Sequence, residues 1–162
     1  MRAHLVDANA TEALGEALAR PLAAASRHAA TVVHLEGPLG AGKTTLVRGL
    51  LRGLGHTGRV RSPTFTLLEP YELSSCNVSH LDLFRLSDPA ELDYLGLTDL
   101  LTARSLLLVE WAERGGERLP GADLEICLDY ADEGRAATLR PRSAVGREII
   151  GRLAQSNGLT RG

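Results

Sequence analysis

The chain has 162 residues, 44% apolar and 23% charged, with a formal net charge of −2. That length suits one domain with a real core, and the charge balance excludes a general nucleic-acid or membrane-surface binder. No apolar run approaches the roughly 20 residues of a membrane span, and Met1 to Asp7 lacks the apolar centre of a signal peptide, so a cytoplasmic protein is expected.

Thr11 to His28 reads as a first helix, with Thr11 as N-cap, Leu14, Leu18 and Leu22 at spacing four, and Pro21 as a break or kink. Thr31 to Glu36 is a short strand. Thr45 to Leu54 has apolar residues at helical spacing. Gly53 to Ser62, with three glycines, is a loop. Thr64–Leu73 and Asn77–Leu83 read as two strands of a β-hairpin. Asp88-Pro89 starts a further helix as N-cap and first helical residue. Ser105 to Glu110 is continuously apolar up to its last residue, as expected for a central parallel strand covered on both faces. Asp123–Asp129 alternates like a half-exposed strand, Ala136–Arg140 is another, and Val145–Ala154 is a last helix. Residues 156–162 are expected to be a flexible tail after a single domain, 1–155. The sum is an α/β fold, a single P-loop NTPase-like domain with a mixed, mainly parallel central sheet flanked by helices. Cys76 and Cys127 lack metal or redox spacing and read as reduced thiols.

The chain holds one lysine against seventeen arginines. That residue, Lys43, lies in Gly37-Pro-Leu-Gly-Ala-Gly-Lys-Thr44, which fits the phosphate-binding pattern G-x-x-x-x-G-K-[ST] at each specified position. A strand before it and a helix after it complete the P-loop context. Gly37, Gly40 and Gly42 free the backbone to turn its N–H groups onto phosphate oxygens, helped by the positive end of the helix. Lys43 is a slim point charge for the outer phosphates. The Thr44 hydroxyl is a Mg²⁺ ligand candidate, and Thr45 is a weaker candidate for the α-phosphate.

Phosphoryl chemistry also needs a carboxylate to hold the metal or orient water. Asp82 and Glu110 compete for that role, each at the end of a strand. The more apolar approach favours Glu110, with solvent exposure or arginine pairing as the alternative for both. There is no Asn-Lys-x-Asp motif to read guanine, so adenine is the expected base.

Read together, the motifs resemble the bacterial TsaE (YjeE-type) family. Gly37-Pro-Leu-Gly-Ala-Gly-Lys-Thr-Thr45, Ser62-Pro-Thr-Phe65, His80-Leu-Asp-Leu-Phe-Arg-Leu86 with Asp88-Pro and Leu95-Gly-Leu97, and Val109-Glu-Trp-Ala-Glu113 carry the resemblance in order. Phe84 stands where the family usually has tyrosine. The resemblance implies an ATPase required for the threonylcarbamoyl modification of tRNA. It would bind ATP and Mg²⁺ and support turnover of the partners TsaD and TsaB, meeting tRNA only through that complex and no membrane. It further implies Thr44 and Glu110 as Mg²⁺ ligands, assisted by Asp82, with Lys43, Asp82 and Glu110 as the catalytic set. Leu39, Gly40, Ala41, Gly42, Lys43 and Thr44 would hold phosphates, while Thr11, Glu113 and Arg135 would contact the nucleotide. Thr64 would sense the γ-phosphate.

Other readings stay open on residues alone. A free-standing small-molecule or nucleoside kinase shares the P-loop, and so does a nucleotide-dependent assembly switch. Trp111 is a packing anchor or a base stack. His80 is a structural hydrogen-bonder or a general base. Arg59, Arg61 and Arg85 are solvated charges, or contacts for a partner, tRNA or γ-phosphate.

Overall fold

The computed structural model describes residues 1–156. Seven strands form one sheet: β1 (Arg2–Leu5), β2 (Thr31–Glu36), β3 (Leu68–Glu72), β4 (Asn77–Asp82), β5 (Ser105–Glu110), β6 (Leu124–Tyr130) and β7 (Arg135–Pro141). Their spatial order is β1-β7-β6-β2-β5-β4-β3. The central strands β6, β2, β5 and β4 run parallel. The margins are antiparallel: β3 forms the expected hairpin with β4, while β7 pairs with β6 and β1. The helices are α1 (Ala8–Ala25), α2 (Lys43–Gly53), α3 (Leu97–Leu100) and α4 (Ala144–Ser156). Because α4 runs through Ser156, only 157–162 of the expected tail lie outside the described residues.

The apolar run of β5 is buried at all six positions, and alternation along it feeds two cores. Leu106 and Leu108 join Leu46 and Leu50 of α2 and Leu18 and Leu22 of α1 on one face. Leu107 and Val109 join Leu81, Leu92 and Leu97 on the other. Helices α1 and α2 meet backbone to backbone, since a Cβ at Gly49 would lie 2.0 Å from the Glu12 carbonyl oxygen.

The structure revises several expectations. Helix α1 begins at Ala8, and its N-cap is Asp7, whose carboxylate accepts the Ala10 N–H at 2.8 Å. Thr11 is therefore a buried residue inside the helix, its hydroxyl turned to the Asp7 carbonyl. The helix also continues through Pro21. Leu18 and Leu22 on either side are fully buried, and that packing outweighs a local proline cost of about 3 kcal/mol. Asp88 does cap the next segment, in a capping box with Glu91, but Pro89–Leu95 winds as a 3₁₀ helix. The first hairpin strand starts only at Leu68, because Thr64 to Thr66 form a turn. Strand β6 is more buried than its alternation suggests, since β2 and β7 flank it. Strand β1 has no counterpart in the sequence reading: four residues are too few for a period-2 signal.

Candidate nucleotide site

The loop between β2 and α2 lies at the carboxyl ends of the parallel strands. Three of its glycines have left-handed backbones: Gly37 at φ 141°, Gly40 at 79° and Gly42 at 105°. Gly37 is also sterically required, since a Cβ there would fall 2.2 Å from the Leu128 carbonyl oxygen. Gly42 caps α2 with no side-chain hydrogen bond to the first turn. Those N–H groups are free of side-chain acceptors, which leaves them for an anion at the positive end of the helix.

Two cavities adjoin this loop and share Gly40, Gly42 and Thr45. The first, about 420 Å³, brings Lys43 and Thr44 together with Asp82 and Glu110, and adds Ser62, Thr64 and Arg85. The second, about 320 Å³, lies beside Thr11, Ala41, Gly134 and Arg135. A chain of phosphates over the loop would join them, with a nucleoside in the second. Leu39 is exposed on the rim of the first cavity. Glu113 lines neither cavity; it is exposed on the turn after β5.

Lys43 is only 5% exposed. Its ammonium donates to the Gly37 carbonyl and sits 3.8 Å from the centre of the Trp111 ring. Burial lowers its pKa, while Glu110, Asp82 and Glu113 pull it back up. Trp111 reaches that place from a left-handed backbone, φ 59°, a conformation costing a non-glycine residue about 1–3 kcal/mol. Its ring stands 5.1 Å from Phe84, and it lines the first cavity beneath Lys43, outside the second. Trp111 therefore packs against the lysine, and a base in the second cavity would not reach it.

Asp82 and Glu110 are buried, at 5% and 2% exposure, and neither pairs with an arginine among the described residues. The Thr44 hydroxyl lies 3.4 Å from both Glu110 oxygens. Hydroxyl and carboxylate oxygens are hard donors of the kind Mg²⁺ takes. No group of three His, Cys, Asp or Glu side chains among the described residues has metal-holding geometry. The donor set fits a Mg²⁺ that fills its remaining positions with phosphate oxygens and water.

The contacts by which other residues meet the loop had no sequence signal. Ser62 donates to Asp82 Oδ2 at 2.9 Å and lies 3.0 Å from the Thr64 hydroxyl, fastening that loop to the end of β4. Tyr130 donates to the Leu39 carbonyl at 2.6 Å, and Arg135, 4.5 Å from the Tyr130 ring, donates to the Gly40 carbonyl at 3.3 Å. Both residues come from the β6–β7 hairpin, about ninety positions away in sequence, so only the folded sheet joins them to the loop. Arg85 stacks 4.4 Å from the ring of Phe65, which is 82% exposed. Arg59 and Arg61 line neither cavity.

Known proteins resemble this chain in sequence and fold. Residues 5–137 match the family described as Threonylcarbamoyl adenosine biosynthesis protein TsaE. The chain is 46% identical over 121 residues to the tRNA threonylcarbamoyladenosine biosynthesis protein TsaE of Haemophilus influenzae, covering 75% of this chain and 77% of that one. It is 38% identical over 151 residues to the protein of that name from a Nostoc species, covering 90% and 89%. The crystal structure of Bacillus subtilis YdiB superposes with a TM-score of 0.78 at 28% identity, over 97% of this chain and 95% of that one. Sequence and fold agree, and the chain belongs to the TsaE family of tRNA threonylcarbamoyladenosine biosynthesis proteins.

Proposed function

We propose that this protein is the Mg-ATP-hydrolysing subunit of the tRNA threonylcarbamoyladenosine machinery, acting in the cytoplasm to support turnover of a TsaB–TsaD transferase. The observation that carries the reading is the convergence of Lys43, Thr44, Asp82 and Glu110 on one cavity beside the glycine loop. The second cavity, beside Thr11 and Arg135, supplies room for a nucleoside. Among the described residues no helix is long and apolar enough to cross a membrane.

In this reading the loop N–H groups and Lys43 hold the β- and γ-phosphates, so negative charge developing on them meets fixed donors. Thr44 and Glu110 would hold Mg²⁺, whose charge would neutralise the phosphates. Glu110, buried and lining the same cavity as Lys43, orients the attacking water. Asp82 keeps the Ser62–Thr64 loop against the phosphates. Thr11 and Arg135, which line the second cavity, serve the nucleoside end, and Glu113, outside both cavities, takes no part there.

The test is ATP turnover by the purified chain, alone and with TsaB and TsaD. Slow hydrolysis that speeds up with the partners, and loss of tRNA modification on Lys43→Ala, are expected. Absence of stimulation together with normal modification by Lys43→Ala would overturn the reading. Transfer of phosphate to an acceptor other than water would make the protein a kinase.

A further inference from the structure

We propose that His80 is the positioning residue for Glu110: its imidazole fixes the carboxylate that faces Thr44 and thereby sets the Mg²⁺ dependence of nucleotide binding. The inference rests on the Mg-ATP reading above and adds to it a residue outside the cavity.

His80 is on β4, with 0% exposure. Alternation puts it on the same sheet face as Val78 and Asp82, against the core that α2 covers. Its partner across the ladder is Leu108, and Glu110 is two residues farther along β5 on that same face. His80 Nε2 lies 2.7 Å from Glu110 Oε2, and its Nδ1 has no hydrogen-bond partner among the described residues. The imidazole thus has one polar contact, and that contact is Glu110. An apolar residue would satisfy the core packing here without leaving a ring nitrogen orphaned. The polarity at position 80 is spent on the carboxylate.

The geometry shows which partner governs Glu110. Thr44 touches both oxygens only at 3.4 Å, near the limit of a hydrogen bond, whereas the imidazole contact is short. His80 therefore sets the rotamer from behind. Oε1 stays turned to Thr44 with no closer donor. A carboxylate without this support would lose the fixed orientation that a small, geometrically demanding ion requires.

The experiment measures ATP affinity by equilibrium dialysis with Mg²⁺ and with EDTA, for wild type, His80→Phe and His80→Gln. Phe keeps a ring and removes the donor; Gln keeps an N–H near the ε position. The expected result is a Mg²⁺ half-saturation raised by about 10–100-fold in His80→Phe, unchanged EDTA affinity, and recovery in His80→Gln. If His80→Phe does not fold, His80→Asn takes its place. It moves the N–H to the δ position and must lose the Mg²⁺ effect that Gln keeps. A Phe or Asn variant with wild-type Mg²⁺ dependence, whatever its melting temperature, overturns the positioning role alone. A wild type whose ATP affinity ignores Mg²⁺ overturns both this inference and the Mg-ATP reading.

Discussion

Asp82 and Glu110 are direct partners across the β4–β5 ladder, yet their carboxylates are committed differently. Asp82 uses both oxygens on the chain itself, accepting the Phe84 N–H at Oδ1 and the Ser62 hydroxyl at Oδ2. Glu110 has one short contact, to His80, and turns toward Thr44. The neighbours that rivalled each other as strand-end acids are thus held differently: Asp82 is tied to the Ser62 loop and the Phe84 backbone, while Glu110 is held by His80 and faces Thr44, the arrangement that suits the metal and water role proposed for it.

Glu110→Gln should therefore cost turnover more than binding. Removing one fixed electrostatic group at a reacting centre typically lowers kcat by roughly 10²–10³-fold. Single-turnover ATP hydrolysis beside EDTA-stage ATP affinity separates the effects. A variant that hydrolyses ATP at the wild-type rate would remove Glu110 from the chemistry.

Asp82→Ala should release the loop that Ser62 fastens, and Asp82→Asn should largely keep it, because the amide N–H at the Oδ2 position can donate to the Ser62 oxygen while the amide oxygen still accepts the Phe84 N–H. Amide hydrogen exchange of Thr64 to Leu67 reports this directly. The Ser62–Asp82 contact involves a charged acceptor, so its loss should cost about 1.5–3 kcal/mol of local protection. Equal exchange in Asp82→Ala and wild type would show that the loop is held elsewhere.

The sequence made the central machinery legible because it is local. Strand, loop and helix around Lys43 are consecutive, and β2 has the bounds Thr31 to Glu36 read for it directly before the loop. The burial of β5 also follows from composition, since six apolar-to-acid positions without alternation suit only a covered strand. What stayed hidden depends on non-local geometry. Asp7 caps α1 because its carboxylate swings onto Ala10, and the choice between Asp7 and Thr11 is invisible to spacing. The partners of Asp82 and Glu110 are 20 and 30 residues away, and Tyr130 and Arg135 reach the loop only once β6 lies beside β2.

Arg135→Ala should weaken nucleotide binding without slowing bound ATP. Arg135 lines the second cavity, proposed above for the nucleoside, and donates to the Gly40 carbonyl, while Glu110 lies in the other cavity. The expected pattern is a raised KM with kcat unchanged, the mark of an interaction made equally in ground and transition states. A fall in kcat at constant KM would put Arg135 in the chemistry instead.

Cys127 gives a pH prediction. Burial and the neighbouring Glu36 carboxylate, to which the thiol donates at 3.0 Å, push its pKa from 9.0 up to about 12. The folded chain keeps this proton while the unfolded chain releases it, so the contribution is full below about pH 9 and is lost as pH rises toward about 12. Burial raises Cys76 and Tyr71 as well, adding loss of the same sign. Urea unfolding of Cys127→Ala between pH 8 and about 11 should show a flatter alkaline decline than wild type; identical slopes would contradict the assignment.

Lys43 gives the sharpest test, because arginine, which supplies every other fixed side-chain cation, should not replace it. The ammonium is buried between the Gly37 carbonyl and the Trp111 ring, a slot that a planar guanidinium overfills. Lys43→Ala removes one side of a buried charge contact, worth about 2–5 kcal/mol of ATP affinity. Lys43→Arg should fail nearly as badly and should also displace Trp111. Trp111 is the chain's sole tryptophan, so its emission follows the ammonium without interference. ATP binding that draws Lys43 toward phosphate should shift wild-type emission and leave both variants unresponsive. An arginine variant with wild-type ATP affinity would mean that the loop, with its glycine backbone and open helix end, holds phosphate without needing the slim lysine stem.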